Sequence, residues 1–404
     1  MKSILFVIES LHRGGAERAL SNITTHFPDD WTIDILINDK SLIGYPYKGS
    51  ILSLARPDKK SAFYFVSTII KRTFYLKKIK RENGYEVCIS FLDSANISNV
   101  LSGGKYCRTI VSIRSDIMET KSGLCAKLVY LPLTRWLFRY ADKIVAVSDE
   151  IGRKLICKLK LPETKVRVIT NGYDRERIRE RMQAVPRDNE DGSKMISGKK
   201  KIIVTVGRLV DQKGQWHLIR AFREVLKKEP QTILFILGEG YLKRYLEGLI
   251  CIYGLQDKVI LAGQRDNPFW YLANADIFIL CSLYEGYPNA LAEAVCCGVP
   301  CITTDMHSGA REILAPDLDT VGERVHDISE REYGILIPVC SGRKYKGFEP
   351  LETEEKKMAE AIAMLLGDGV KREHYRHKSR ERSLDLGIDE KVREWVEVIL
   401  EKDG

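Results

Sequence analysis

Two glutamates stand eight residues apart, Glu285 and Glu293, in the stretch SLYEGYPNALAEAVCCGVP at 282–300. Paired carboxylates are typical of glycoside hydrolysis, where inverting enzymes hold a water between opposed carboxyl groups. Here the Gly-Tyr-Pro-Asn turn places Glu285 in a loop, while Glu293 lies about one turn inside the helix that follows. Nothing in that arrangement opposes the two groups across a water. We therefore interpret them as acceptors that hold the hydroxyl groups of a sugar or ribose.

The start of this helix adds hydrogen-bond donors to the same place. Pro288 suits the first helical turn and Asn289 is a residue type that caps a helix. The backbone amides of Asn289, Ala290 and Leu291 would then receive phosphate or sugar oxygens at the helix N-terminus. The nearby Cys296 and Cys297 are interpreted as packing residues, because they lie in an apolar run where cysteine behaves as a small buried residue.

Three further loops carry residues suited to a phosphate ligand. Gly14 and Gly15, in LHRGGAER, allow close backbone approach at a helix start, although a plain tight turn explains them equally well. In GRLVDQKG, Arg208 and Lys213 are the cations expected around a diphosphate, and solvated surface charge is the alternative. Gly238, in Gly238–Gly240, permits another close approach and has little specificity of its own.

The elements that position these loops alternate between short apolar strands and helical patterns. This alternation predicts parallel sheets covered by helices. Periodicity is lost over 181–200, which gathers Pro, Gly, Asp, Asn and Ser. We predict an α/β fold of two doubly wound domains: an N-terminal domain over 1–180, a linker over 181–200, a C-terminal domain over 201–384, and a last helical segment over 385–404 that packs on the first domain. Ligands of such sheets bind at the carboxyl ends of the strands.

Composition narrows the function classes. The 404 residues are 44% hydrophobic and 29% charged, as in a soluble globular protein, and the net charge is +9. That charge suggests an anionic partner, but no stacking or recognition motif indicates nucleic acid. None of the ten cysteines forms a CxxC pair, and none has a histidine at zinc-ligand spacing, so no metal site is predicted. Reduced thiols and the absence of a leader or spanning segment indicate a cytoplasmic protein.

A basic and aromatic segment occupies 59–81, with the sequence KKSAFYFVSTIIKRTFYLKKIKR. It carries eight Lys/Arg residues and no acid, interleaved with Phe and Tyr, which is typical of a surface that rests on anionic lipid. A second patch, LTRWLFR, covers 133–139. The alternative is a solvated helix that packs its aromatic residues against the sheet.

These motifs together resemble the retaining glycosyltransferases of family 4, which have the GT-B fold of two Rossmann-like domains facing across a cleft. The resemblance rests on the E-x7-E pair, on GRLVDQKG, ILGEG and GGAER, on NGYD at 171–174, and on the flanking NPFWYLANADIFIL and SGAREIL. It covers essentially the whole chain, is strongest over 200–340 and is looser from about 40 to 140, where the acceptor is expected.

The resemblance implies a role for each loop. Arg208 and Lys213 would bind the donor diphosphate and stabilise it as it leaves, and Glu285 and Glu293 would take sugar and ribose hydroxyls. The remaining expected donor contacts come from six residues: Gly14, Gly15, Gly238, Gln264, Arg265 and Gly286. Retention of configuration through front-face attack needs charge at the leaving phosphate more than a dedicated base, so neither a metal nor another cofactor is expected.

One position departs from the family pattern. Many relatives place a histidine in the first domain after the strand that reads TIVSI here, and this chain has Arg114, Ser115 and Asp116 instead. Arg114 could contact sugar or phosphate, and Asp116 could orient an acceptor hydroxyl. The two side chains could also simply pair with one another.

The resemblance therefore implies a retaining hexosyl- or N-acetylhexosaminyltransferase that uses a nucleotide-sugar donor, with a UDP-sugar favoured. Its acceptor would be a glycan or lipid-linked glycan in cell-surface polysaccharide or lipopolysaccharide assembly. Peripheral contact of the basic segment with an anionic membrane, at the inner face, is favoured because related enzymes often extend lipid-linked glycans. A nucleotide-sugar epimerase on the same fold and a non-catalytic nucleotide-sugar-binding subunit are the alternatives.

Overall fold

The computed structural model describes residues 2–12, 14–41, 43–56, 61–115, 131–186, 200–307 and 309–401. The chain divides into two compact units. The first comprises Met1–Gly172 with Ile388–Gly404, and the second comprises Tyr173–Gly387. Each unit has its own sheet and its own buried apolar core.

The first unit is built on a seven-stranded parallel sheet with the order β3-β2-β1-β4-β5-β6-β7. Its strands are β1 Lys2–Val7, β2 Trp31–Ile37, β3 Ser50–Ser53, β4 Val87–Phe91, β5 Arg108–Ile113, β6 Lys143–Ala146 and β7 Val166–Val168. Its helices are α1 Gly15–Thr25, α2 Ala62–Glu82, α3 Asp93–Leu101, α4 Leu131–Phe138, α5 Asp149–Cys157 and, from the end of the chain, α14 Ile388–Leu400. The central strand β4 is buried along its whole length and β1 is buried from Ile4 onward, as expected for a parallel sheet covered by helices on both faces.

The second unit has a seven-stranded sheet with the order β10-β9-β8-β11-β12-β14-β13, parallel except for the β13–β14 hairpin. Its strands are β8 Lys201–Val206, β9 Thr232–Leu237, β10 Val259–Gly263, β11 Ile277–Leu280, β12 Cys301–Thr304, β13 Ser329–Arg331 and β14 Gly334–Ile337. Its helices are α6 Arg175–Gln183, α7 Gln215–Lys228, α8 Lys243–Ile252, α9 Pro268–Ala273, α10 Asn289–Cys296, α11 Gly309–Leu314, α12 Thr353–Gly367 and α13 Gly369–Arg382.

The predicted fold class is confirmed, since both sheets reverse their strand order beside the first strand. β1 lies between β2 and β4, and β8 lies between β9 and β11. At such a point the loops diverge and leave a ligand crevice at the carboxyl ends of the strands. The edge strands β3, β7 and β13, and β14 beside β13, were not predicted, because they are only three or four residues long.

The boundary between the units differs from the prediction. The first unit ends at Gly172 and not at residue 180, because α6 packs on α9 in the second unit. The side-chain amide of Asn267 donates to the carbonyls of Arg181 and Ala184, both at 2.8 Å, and fixes this contact. Part of the predicted linker is therefore helix α6, while 187–199 lie outside the described residues.

The last helix, α14, belongs to the first unit. Val392 and Trp395 lie in the same buried cluster as Phe6 and Phe91, and the Trp395 and Phe91 rings are 5.8 Å apart. The Arg108 guanidinium donates to the Ile399 carbonyl at 2.8 Å, near the end of the helix. Among the described residues no helix has the length and apolar character needed to cross a membrane.

Candidate active site

The loop after β8 is shaped by its neighbours. Asp211–Lys213 forms one 3₁₀ turn, and Gly214 follows with φ +62°. A Cβ on Gly214 would lie 2.5 Å from the Cys281 carbonyl oxygen, so only glycine fits there. Because the Leu283 amide donates to the Gln212 carbonyl at 2.8 Å, this loop is fastened to the loop that carries Glu285.

The glycines of the neighbouring loop have a packing reason. Gly238 has φ +143°, and a Cβ there would lie 2.0 Å from the Gly207 carbonyl oxygen. A Cβ on Gly240 would likewise meet the Leu209 carbonyl oxygen at 2.2 Å. The close approach that the sequence indicated is therefore between two backbone segments. A donor contact at Gly238 stays a prediction.

Lys213 and Glu285 form an ion pair in this structure. Their side chains are 16% and 9% exposed, and the Glu285 carboxylate also accepts from Ser282 Oγ at 2.8 Å and from Gln212 Nε2 at 3.1 Å. The sequence assigned Lys213 to phosphate and Glu285 to sugar without predicting that they touch. Gln212 and Ser282 were missed, although both lie within the motifs that were singled out.

Arg208 differs from Lys213 in having no such partner. Its side chain is exposed and makes no ion pair or hydrogen bond with the residues that the structure describes, while its carbonyl accepts from Gln215 Nε2 at 2.9 Å. The carboxyl edge of this sheet thus presents one uncommitted guanidinium and one lysine held by a carboxylate. A diphosphate would complement the first directly and would compete with Glu285 for the second.

The helix that follows Glu285 starts differently from the prediction. Pro288 occupies the cap position, and Asn289 is the first helical residue, so Asn289 does not cap α10. The Asn289 Oδ1 accepts from the Tyr173 hydroxyl at 2.6 Å. The amide of Leu291 donates to the Pro288 carbonyl at 3.0 Å, which corrects the expectation that this amide is open to a ligand.

Glu293 and Cys296 lie further along α10, and Cys297 follows its last residue. Glu293 is only 3% exposed. Burial, with a contribution from the Glu293 charge, raises the pKa of the Cys296 thiol to about 12, so this thiol stays protonated near neutral pH. Cys297 and Cys301 are buried. The thiols are packing groups in this structure, as the sequence indicated.

The other predicted donor contacts surround the same edge. Gly286 is buried in the loop before α10, and Ala290 is partly exposed in the first turn of that helix. Gln264 is exposed just after β10, and Arg265 lies partly buried with its guanidinium 6.0 Å from the Tyr271 ring centre. Their contacts with a ligand stay predictions.

In the first unit the glycine loop lies at the start of α1. Gly14 is the cap residue, with extended φ −129° and ψ 170°. A Cβ there would lie 2.0 Å from Glu17 Oε2, so the Glu17 carboxylate folds back over the helix start. Gly15 is the first residue of α1. Negative charge is favourable at this end of a helix, which is the place where a phosphate would bind.

Arg114 follows β5, where the resemblance implies a histidine. Its guanidinium donates to the Asn171 side-chain oxygen and lies 5.4 Å from the Phe91 ring centre. Asp116 lies outside the described residues, so its predicted acceptor role and its pairing with Arg114 are not addressed by the structure.

A polar cluster at the carboxyl edge of the first sheet was missed. The buried guanidinium of Arg72 donates to Ser94 Oγ at 2.9 Å and to Asn38 Oδ1 at 2.6 Å, and Ser94 Oγ donates to Glu9. Burial lowers the pKa of Arg72 to about 10, against the opposing effect of Glu9. Glu9, Asn38 and Ser94 each follow a strand closely, and that position was the signal that could have found them.

The cluster also corrects the interpretation of the basic segment. Arg72 and Lys80, both 1% exposed, are not part of a surface, and the Lys80 ammonium donates to Asn99 Oδ1 at 2.8 Å. The outer face of α2 instead carries five exposed apolar residues: Phe63, Phe65, Val66, Ile70 and Phe74. Lys77, Lys78 and Arg81 continue this face toward the end of the helix. Residues 59 and 60 lie outside the described residues.

Two Rossmann-like domains with these strand orders have the architecture of the GT-B glycosyltransferases. A model described as "Glycosyltransferase Family 4" matches residues 13–177, and one described as "Glycosyl transferases group 1" matches residues 186–325. The chain is 31% identical over 390 residues to an uncharacterized glycosyltransferase of Methanocaldococcus jannaschii, covering 91% of this chain and 94% of that one. The chain therefore belongs to the glycosyltransferases built from these two domains.

Two other comparisons agree with this assignment. The chain is 28% identical to a Campylobacter jejuni N-acetylgalactosamine-N,N'-diacetylbacillosaminyl-diphospho-undecaprenol 4-alpha-N-acetylgalactosaminyltransferase, with 95% of each chain covered. The solved structure of Anabaena HepE in complex with UDP and glucose is similar with a TM-score of 0.73 and 17% identity, over 99% of each chain. At that identity the structural likeness concerns the fold alone.

Proposed function

We propose that the chain transfers a sugar from a nucleotide-sugar donor to a lipid-linked glycan, with retention of anomeric configuration, in cell-surface polysaccharide assembly. The observation that carries the proposal is the cluster at the carboxyl ends of β8 and β11. There the exposed Arg208 lies in the same short loop as Lys213, which pairs with Glu285. The lipid-linked acceptor is supported by the diphospho-undecaprenol substrate in the name of the Campylobacter relative.

Donor binding would rearrange the ion pair. The donor diphosphate carries more negative charge than one carboxylate, so it would draw Lys213 away from Glu285 while Arg208 binds the same phosphates. Glu285 would keep its hydrogen bonds from Ser282 and Gln212 and turn its freed lone pairs to the sugar hydroxyls. Lys213 thus exchanges its charge-assisted contact with Glu285 for one with the donor diphosphate.

The chemical step would rely on charge at the leaving group. As the bond from the anomeric carbon to phosphate breaks, negative charge grows on the diphosphate, where the two cations stabilise it most. The acceptor hydroxyl attacks from the same face, and its proton passes to the departing phosphate oxygen. No metal and no separate protein base is required in this proposal. Glu293 would hold the ribose hydroxyls, and Arg114 would contact the sugar or phosphate in place of the family histidine.

Purified protein and three substitutions test these roles. A thermal-shift screen of nucleotide sugars, with UDP-sugars first, identifies the donor, because the preference for UDP rests on the family resemblance alone. Arg208→Ala and Lys213→Ala are each expected to lower the turnover of that donor by on the order of 10²–10³-fold. Lys227→Ala is the matched control, since this exposed lysine pairs with Glu224 on the outer face of α7. Unchanged transfer by Glu285→Ala would contradict the role of that carboxylate.

Retention is tested separately. NMR of the newly formed glycosidic linkage is expected to show the same anomeric configuration as the donor sugar. An inverted product would leave the donor site intact but would refute front-face transfer.

The acceptor proposal extends to the membrane. The exposed stripe of α2 at 63, 66, 70 and 74 follows helical spacing, and Phe63 and Phe74 are 84% and 70% exposed. Aromatic side chains on one helix face, with cations toward one end, suit the boundary between lipid headgroups and acyl chains. Leu133 and Trp136 add a second exposed apolar pair on α4. We propose that the chain binds an anionic membrane at its cytoplasmic face through these helices.

Sedimentation with vesicles containing anionic lipid tests this contact. The variant Phe63→Ser/Phe74→Ser and the variant Lys77→Glu/Lys78→Glu are expected to lose most co-sedimentation. Arg72 is left unchanged, because it is buried. The matched control Lys227→Glu/Lys228→Glu changes two exposed lysines of α7 and is expected to bind as the wild type does. If both α2 variants sediment like the control, the membrane contact is refuted.

A further inference from the structure

Three side chains of the second unit converge on one spot that the proposed donor site does not use. His217 is the third residue of α7, Cys340 follows β14, and Glu352 precedes and caps α12. One ligand atom from each, a ring nitrogen, the Sγ and a carboxylate oxygen, lie within 4.8 Å of one another. Nitrogen, sulfur and carboxylate oxygen form a donor set that suits Zn²⁺ and similar divalent transition ions.

One ring nitrogen of His217 is held by a carboxylate, and the other is open. Its Nδ1 lies 2.8 Å from Glu355 Oε1, which also accepts from Nε of Arg220 at 2.8 Å. A carboxylate paired with a guanidinium only accepts, so Nδ1 carries the proton and Nε2 keeps its lone pair. His217 is fully buried, and its Nε2 has no hydrogen-bond partner among the described residues. This is the arrangement in which a carboxylate fixes the tautomer of a metal-binding histidine.

The carboxylate of Glu352 is held in place as well. Its Oε2 accepts from the Ser341 amide at 3.0 Å, and its Oε1 accepts from the Ser341 and Tyr345 hydroxyls. These three hydrogen bonds fix the position of the carboxylate. Ligating carboxylates in metal sites are supported by hydrogen bonds of this kind.

Cys340 completes the set with a buried sulfur. Its side chain is only 5% exposed. A metal would displace the thiol proton to solvent, and the thiolate would donate an electron pair to the ion, with no other bond formed or broken.

We propose that His217 Nε2, Cys340 Sγ and Glu352 bind one divalent transition-metal ion of the Zn²⁺ class, as a structural site. The ion would join the start of α7, which directly follows the Lys213 loop, to the irregular segment 338–352. That segment already reaches the donor loop through Lys344, whose ammonium lies 2.6 Å from Asp211. Sequence spacing could not reveal the site, because His217 is far along the chain from Cys340 and Glu352 and the three follow no known metal-ligand spacing.

Cobalt substitution provides the first test. Co²⁺ is added to the purified, metal-stripped full chain, and the optical spectrum is followed. The expected result is a thiolate-to-cobalt charge-transfer band that saturates at one equivalent and that is absent in Cys340→Ser. Cys301→Ser is the matched control, because Cys301 is an equally buried thiol on β12 outside the cluster, and it should keep the band. A wild type without the band, or Cys340→Ser with it, overturns the proposal.

X-ray absorption on the zinc-loaded wild type gives a measurement that needs no variant. One sulfur at ~2.3 Å and nitrogen or oxygen ligands at ~2.0–2.2 Å are expected. Two or more sulfurs would indicate an adventitious site among the other cysteines, and none would exclude Cys340. Either of these results overturns the proposal.

Discussion

Helices α2 and α7 each pack against the sheet of their own unit, and they use their side chains in different ways. Helix α7 buries Trp216, Leu218, Ile219, Phe222 and Val225, and its lysines face solvent at its end. Helix α2 turns Phe63, Ile70 and Phe74 outward and buries Arg72 and Lys80. Both bury an arginine, but only α2 does so while it leaves an aromatic stripe uncovered by the described residues. Helix α2 therefore keeps a buried face as α7 does and, in addition, exposes apolar side chains on its outer face.

The largest difference in the free energy of unfolding is expected between alanine substitutions of two phenylalanines, one in each helix. Phe222→Ala in α7 removes a ring that is fully buried, and it should lower the free energy of unfolding by about 3–5 kcal/mol. Phe74→Ala in α2 removes a ring that is 70% exposed and should change it by less than about 0.5 kcal/mol. Urea unfolding measures both. A loss at Phe74 close to that at Phe222 would mean that α2 has an apolar partner within the protein.

The two buried arginines provide the second comparison. Arg220→Met should cost about 3–5 kcal/mol, because it leaves the fully buried Glu355 without its guanidinium partner. Arg72→Met should cost less, about 1–3 kcal/mol, because its direct hydrogen-bond partners, Asn38 and Ser94, are neutral. The same unfolding experiment ranks them. If Arg72→Met costs more than Arg220→Met, the stronger charge pairing is the one in the first unit, between Arg72 and Glu9.

A smaller difference in unfolding free energy is expected between the glycine loops that follow β1 and β9. Gly238→Ala should cost about 1–3 kcal/mol, because φ is +143° and the new Cβ meets the Gly207 carbonyl. Gly14→Ala should cost only about 0.5–1 kcal/mol, because its backbone is extended and the new Cβ meets the movable Glu17 side chain. Thermal unfolding measures both. If Gly14→Ala also lowers sugar transfer while stability is kept, that loop contacts the donor.

Much of the fold could be predicted because each central strand is a short, continuous apolar run between helical patterns. The run Ile202–Val206, for example, corresponds to the structural strand Lys201–Val206. The unit boundary could not be predicted in the same way, because α6 is assigned by its packing on α9, a contact between distant residues. The edge hairpin β13–β14 escaped notice for a related reason, since its first strand is only three residues long and partly exposed.

The sequence predicted which loops form the candidate site, but it did not predict which side chains pair within it. That Lys213 and Glu285 both follow central strands places them at one edge of the sheet, but their ion pair depends on side-chain directions. The sequence shows that α2 is rich in cations and aromatic residues, but it does not show which of these side chains face the sheet. Thr68, Arg72 and Leu76 follow helical spacing, and so do the exposed residues at 63, 66, 70 and 74. Tertiary packing decides that the first set is the buried one.

The smallest expected difference concerns pH, at the loops that follow the corresponding strands β5 and β12. In the first unit Arg114 donates to the neutral Asn171, whereas in the second unit Arg311 binds the carboxylate of Asp305 through two hydrogen bonds of 2.8 and 2.7 Å. Burial opposes the Asp305 charge, but Arg311 and the Val325 amide outweigh it and hold the pKa of this carboxyl below its ordinary value of 3.8.

A carboxyl whose folded pKa is lowered stabilises the fold above its unfolded pKa, and this contribution is lost as the pH falls through the folded pKa. The difference in unfolding free energy between the wild type and Asp305→Asn should therefore be constant from pH 7 down to about pH 4 and should shrink below it. Asn171→Ala should differ from the wild type by an amount that does not change over this range, because its interaction with Arg114 involves no titrating carboxyl. Urea unfolding of the three proteins at several pH values measures this. A difference for Asp305→Asn that stays constant below pH 4 would mean that its carboxylate does not bear the charge that anchors the β12 loop, and the contrast between the two loops would disappear.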